Sequence, residues 1–174
     1  MNKQISAACL LLASGAAAAS VDNAMLPEPV RVPAGQVVKL ETLGIGEITY
    51  ECRDSKDAPG GHAWVFVSPV ATLYDMQKKV VGKYYGGPTW EAADGSKVTG
   101  KQLAVAPAKA PRSIPLQLVK ADPAMGSGAM TGVTFIQRLD TKDGVAPAAD
   151  CSAANKGAKQ QVSYEAKYVF YTQK

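Results

Sequence analysis

The closing run of the chain, Gln161 to Thr172, alternates between apolar and polar positions: Val162, Tyr164, Ala166, Tyr168 and Phe170 oppose Ser163, Glu165, Lys167 and Val169. Successive side chains of an extended chain point to opposite faces, so a period of two predicts a half-buried strand. The same signal recurs upstream. Gln36 to Thr42 sets Val38 and Leu40 against Lys39 and Glu41, and Glu47 to Arg53 sets Ile48, Tyr50 and Cys52 against Glu47, Thr49, Glu51 and Arg53. Leu43-Gly44-Ile45-Gly46 between them reads as a break. His62 to Ser68 is apolar on both faces, the pattern of a strand covered on both sides. Ala71 to Tyr74 and Val80 to Tyr85 flank a hairpin at Asp75-Met76-Gln77-Lys78.

Val80 to Gly100 carries the sharpest local signal. Asp94-Gly95 between two strand-like runs is a hairpin signature. In extended conformation Tyr85, Thr89 and Glu91 share one face and Tyr84 and Trp90 the other, with Gly86-Gly87-Pro88 interrupting the ladder. Gln102 to Ser113 is rich in alanine and proline. Ile114 to Lys120 and Met130 to Leu139 complete the strands, the latter with Val133, Phe135 and Gln137 opposite Thr134, Ile136 and Arg138. No long window keeps a helical period after the first residues. The fold class is therefore all-β: a single-domain antiparallel sandwich or small barrel of about eight to ten strands.

Three segments divide the 174 residues. Residues 1–19 have the form of a secretory signal peptide, with Lys3 in a short basic start, an apolar run from Ile5 to Ala13, and small residues up to cleavage after Ala19. The apolar run is too short to cross a membrane, and no other segment predicts a transmembrane span. Cys9 leaves with this segment; lipid attachment there lacks the large aliphatic residue such sites carry. Residues 20–34, spotted with Pro27, Pro29 and Pro33, read as an extended lead-in lying against the domain. Residues 35–174 form the single β-domain. An exported chain, periplasmic or extracellular, can form disulfides, and the mature chain keeps two cysteines, Cys52 and Cys151. One bridge between them is the simplest outcome. A metal or redox pair is the weaker alternative, because C-x-x-C is absent and one histidine cannot complete an ordinary zinc site.

The formal charge of +4 includes Lys3. The remaining lysines are scattered and form no basic-aromatic footprint, so nucleic acid is not an expected partner. Catalytic equipment is sparse. A serine hydrolase needs a histidine base, and the one histidine, His62, sits at a strand start, with no G-x-S-x-G anywhere. No metal site and no cofactor are expected. Glu51 and Glu91 are the carboxylates left for acid-base work of the glycosidase kind. Trp90, Glu91, Tyr85, Glu51 and Arg138 are the candidate ligand-binding residues: aromatic surface with a few hydrogen-bonding groups, beside glycines that allow close approach.

Several short runs in order carry a family resemblance: Ile48-Thr49-Tyr50-Glu51-Cys52, Ala71-Thr72-Leu73-Tyr74-Asp75, Gly87-Pro88-Thr89-Trp90-Glu91 with Asp94-Gly95-Ser96, Val133 to Arg138, Gly144-Val145-Ala146-Pro147 before Cys151, and Tyr164 to Tyr171. Together they resemble the domain of unknown function 3455 family, over nearly all of the mature chain. The resemblance implies a secreted bacterial or fungal protein and brings no settled activity. The residues favour a secreted, non-catalytic binding domain for a small molecule or an envelope or extracellular component, acting through the Gly86 to Asp94 region. The competing reading is an extracellular carboxylate-dependent enzyme acting on carbohydrate.

Overall fold

Each strand pairs antiparallel with the next in sequence, and the last pairs back onto the first. The computed structural model describes residues 21–174, so the expected signal peptide over residues 1–19 lies outside the described residues. The strands are β1 (Gln36–Asp54), β2 (His62–Tyr74), β3 (Val80–Tyr85), β4 (Thr89–Ala92), β5 (Lys97–Ala106), β6 (Leu116–Ala121), β7 (Val133–Asp143) and β8 (Lys159–Gln173). They form a closed up-and-down barrel. Closure joins the two ends of the chain, with Gln36 opposite Gln173 and Glu51 opposite Lys159, and it leaves no sheet edge unpaired.

Two strands run through positions where the sequence suggests interruptions. β1 passes through Leu43–Gly46 unbroken because Gly44 and Gly46 serve close approach. A Cβ on Gly44 would lie 2.6 Å from Tyr168 Cε2, and one on Gly46 would lie 2.0 Å from the Val70 carbonyl oxygen. β2 continues past Pro69, which sits just beyond a register shift opposite Thr49 and Tyr50, where a missing N–H is tolerated. The double-sided cover expected for His62 to Ser68 is absent: this part of β2 lies at the open end of the barrel, none of its residues is buried, and even Phe66, which pairs with Tyr50 on the inward face, is 53% exposed. β5 extends to Ala106, into the region from Gln102 to Ser113 that reads as alanine- and proline-rich, because Ala106 is buried in a second cluster on the outer wall.

The interior is packed. Tyr84, Trp90, Tyr168 and Phe170 form an aromatic centre, with Tyr84 and Trp90 centroids 4.9 Å apart and Tyr84 and Tyr168 centroids 5.2 Å apart. Ile48, Leu73, Val98, Val119 and Ile136 fill the space around it. The second cluster lies outside, where Leu116, Leu118, Phe135, Leu139, Val169 and Tyr171 are covered by Val30 and Val32 of the lead-in. That lead-in folds into two short 3-10 turns, Asn23–Met25 and Glu28–Val30, instead of a fully extended strand. Asn23 fixes it in place by bonding both the amide and the carbonyl of Val32 at 2.9 Å.

The two ends of the barrel differ. At one end the β6–β7 loop folds inward and Met130 enters the core at 2% exposure. Asp94 holds this floor: Oδ1 accepts from the Ser96 amide and hydroxyl, Oδ2 accepts from the Ala129 amide at 2.7 Å, and Ser96 Oγ accepts from the Met130 amide. At the other end the β7–β8 loop is tied to the tips of β1 and β2. Cys52 and Cys151 form a disulfide, and Trp64 Nε1 donates to the Ala149 carbonyl at 2.7 Å.

Candidate functional site

Long polar side chains on the inward face of a strand stand out in a barrel whose interior is mostly apolar. Arg138 is one: Phe135, Gln137 and Leu139 pack outward, so Ile136 and Arg138 turn inward. Gln117 is another, placed between the outward-facing Leu116 and Leu118 and directly opposite Arg138 in the ladder. A register shift between Gln102 and Ala104 brings Gln102 alongside, and Gln117 Nε2 donates to Gln102 Oε1 at 2.5 Å. The three groups gather at the end of the barrel away from the Met130 floor.

Here a cleft of about 400 Å³ opens. Gln102, Gln117 and Arg138 form one side. Phe66, Pro69 and Tyr84 form the other, and Gly86-Gly87-Pro88 make a low rim. Phe66 meets Tyr50 edge-on, with centroids 6.2 Å apart, and presents its free surface to the cleft. The Pro115 carbonyl accepts from Arg138 Nε at 3.2 Å and from Nη2 at 2.9 Å, which fixes the plane of the guanidinium. Arg138 makes no ion pair among the described residues.

The tyrosines beneath carry no base. Burial raises the pKa of Tyr50, Tyr84 and Tyr168, and pushes Tyr164 up to about 12, while the Arg138 charge acts weakly in the opposite direction on all four. These phenols stay neutral at ordinary pH. The Tyr50 hydroxyl is already committed to the Gly144 carbonyl at 2.8 Å, and those of Tyr164 and Tyr168 face each other at 3.3 Å.

A family model described as "Protein of unknown function (DUF3455)" matches residues 33–172. The chain belongs to the DUF3455 family. Comparison with curated proteins and with solved structures gives no match. The DUF3455 match begins inside the lead-in and ends in β8, so it takes in the whole set of cleft residues.

The five candidate residues in this DUF3455 chain fall in three places. Arg138 lines the cleft. Trp90 lies within the barrel at 1% exposure, in contact with Tyr84, Tyr168 and Phe170. Tyr85, Glu91 and Glu51 stand on the outer wall. The Tyr85 hydroxyl donates to Glu91 at 2.7 Å, and Lys83 pairs with the same carboxylate at 3.2 Å; the Tyr85 bond first and Lys83 after it hold the Glu91 carboxyl below its ordinary pKa. Glu51 is held low chiefly by its bond from Arg53 at 3.1 Å. Two strands, β2 and β3, separate Glu51 on β1 from Glu91 on β4, and neither lines the cleft. The arrangement brings no pair of carboxylates together there.

Sequence reasoning does not single out Phe66, Gln102 or Gln117. The usable signal is a polar residue on the core-facing register of a strand, which Gln117 and Arg138 both show. A larger groove of about 600 Å³ lies on the outer wall across β1, β2 and β8, with Ile45, Val70, Lys142 and Glu165 along it. Its one lysine, Lys142, is already paired with Glu165 at 2.8 Å. Among the described residues no group of three or more His, Cys, Asp or Glu is placed to hold a metal ion.

Proposed function

We propose that this DUF3455 protein is an exported, non-catalytic binding domain that takes a small molecule into the open end of its barrel. The observation that carries the reading is the asymmetry of the two ends: one is floored by Met130, and the other opens as a cleft whose polar wall includes a cation without a counter-charge. A disulfide and the lack of any helix long and apolar enough to cross a membrane among the described residues are consistent with export. The outer wall supports life in water, since it carries the Glu41–Lys167, Lys142–Glu165 and Lys83–Glu91 pairs, where a barrel in lipid turns an apolar band outward.

The test compares the mature protein with a Gln102→Trp variant, which fills the cleft from its exposed rim and leaves the packed core alone. A ligand that binds only the folded state raises apparent thermal stability. Fragments from a broad small-molecule library are expected to raise the melting temperature of the parent and to lose that effect in the variant. Equal shifts in both proteins would place binding elsewhere and remove this reading.

A further inference from the structure

We infer that the ligand of the cleft is a small organic carboxylate with a compact apolar body, its carboxylate held by Arg138; this rests on the reading of the barrel mouth as a binding site. The guanidinium carries five N–H donors in a planar fork. The Pro115 carbonyl takes up Nε and one donor of Nη2, which leaves Nη1 and the second donor of Nη2 to meet an acceptor. A fork oriented in advance by a backbone carbonyl loses little freedom when it binds, and a planar pair of donors matches the two oxygens of a carboxylate.

The surroundings select the same charge. No residue lining the cleft is acidic. Because Gln117 donates to Gln102 Oε1, the Gln102 amide turns its own N–H groups away from that bond, and they meet no protein acceptor among the described residues. Two donor groups, one of them cationic and partly withdrawn from solvent, therefore face a space with no protein anion in it. The charge is expressed more strongly there than on the open surface, since water screens it less. The opposite wall is of another kind. Phe66 is more than half exposed despite facing inward, and Pro69 and Tyr84 continue its surface. Exposed aromatic area set across from a fixed cation suits a ligand with one charged end and one apolar end. The size of the cleft, about 400 Å³, limits that body to a ring or a short chain.

The experiment is a calorimetric or NMR titration with matched acids and amides: phenylacetate against phenylacetamide, and hexanoate against hexanamide. Each pair shares one apolar body, so only the charge differs. The expected result is at least tenfold tighter binding of the acid in each pair, with that preference abolished in Arg138→Met and reduced in Arg138→Lys, which keeps the charge and loses the fork. If Arg138→Met does not fold, Gln102→Leu replaces it, and the acid preference is then expected to fall without vanishing. Acid and amide binding equally, both lost in Gln102→Trp, would leave the mouth as the site and overturn the carboxylate. Acid preference unchanged in the Arg138 variants would also overturn it. Failure of every probe, acid and amide alike, would overturn the carboxylate inference, and library hits that respond to Gln102→Trp would show that the mouth still binds something else.

Discussion

The Tyr171 hydroxyl donates to the Gln137 side-chain carbonyl at 2.6 Å, while Gln137 Nε2 donates to the Val30 carbonyl at 2.6 Å. Gln137 has no solvent exposure. A fully buried amide is tolerated because its oxygen and nitrogen are both engaged. These bonds lie on the outer wall, so they join the lead-in to β7 and β8 and close the second hydrophobic cluster beneath it.

Tyr171→Phe removes one partner and leaves the Gln137 oxygen buried and unpaired. That costs about 1 to 3 kcal/mol, more than the bond's own net contribution. The expected outcome is a lower denaturation midpoint together with faster proteolytic cleavage between residues 21 and 33. Unchanged stability and unchanged cleavage would mean that Gln137 does not anchor the lead-in.

The pattern of strands is written locally, and so is the face to which most residues point. Tyr84 and Trp90 turn inward, and Tyr85 and Glu91 outward, as a period of two requires. Closure is different, because it depends on pairing Gln36 with Gln173 across the length of the domain, and no local pattern encodes that. The candidate site shares this limit. Gln102, Gln117 and Arg138 come from three strands, and their meeting depends on a register shift beside Gln102. Trp90 shows the opposite difficulty: an aromatic residue among glycines reads equally as platform or core, and its neighbours Tyr168 and Phe170 lie almost eighty residues further on.

The buried tyrosines predict a particular alkaline limit. Burial raises the pKa of Tyr50, Tyr84 and Tyr168 and brings Tyr164 and Tyr171 to about 12. In the unfolded chain these phenols titrate near the ordinary value of about 10. The folded state therefore binds these protons more tightly, and the resulting stability is fully present below pH of about 10. It is lost as pH rises through the folded values toward 12. Tyrosinate absorbance followed with far-ultraviolet circular dichroism should show ionisation delayed past the ordinary range and then coincident with loss of the β signal. Complete ionisation near the ordinary value with the β signal intact would contradict this burial.

The Cys52–Cys151 bridge closes a loop with a sequence separation of 99. In the chain-entropy account a loop of that length raises stability by about 4 to 5 kcal/mol through restriction of the unfolded chain. A Cys52→Ser, Cys151→Ser double variant is expected to unfold at much lower denaturant concentration. The β7–β8 loop should open first, because without the bridge it is held to β1 and β2 by hydrogen bonds and an ion pair, among them Trp64 Nε1 to the Ala149 carbonyl, the Tyr50 hydroxyl to the Gly144 carbonyl and the Lys156–Asp54 pair. Hydrogen exchange over residues 144–158 checks this. Uniform protection in parent and variant would show that the loop is held without the bridge.

Trp90 offers a separation of core from site. Its ring fills the centre of the barrel, yet Nε1 is buried and finds no hydrogen-bond partner. Trp90→Ala removes the whole ring from a packed interior and is expected to cost about 3 to 5 kcal/mol. Trp90→Phe keeps an aromatic ring against Tyr84 and Tyr168 and deletes the unpaired N–H, whose burial is itself unfavourable. The smaller ring leaves a void, so the two effects oppose each other and the net loss should fall well below that of alanine. Chemical denaturation of the three proteins measures the difference. Because Trp90 lies outside the cleft lining, Trp90→Phe should also keep the acid-over-amide preference of the parent. A phenylalanine variant as damaged as the alanine one would mean that the void left by the smaller ring outweighs the relief of deleting the unpaired N–H, and would overturn this expectation.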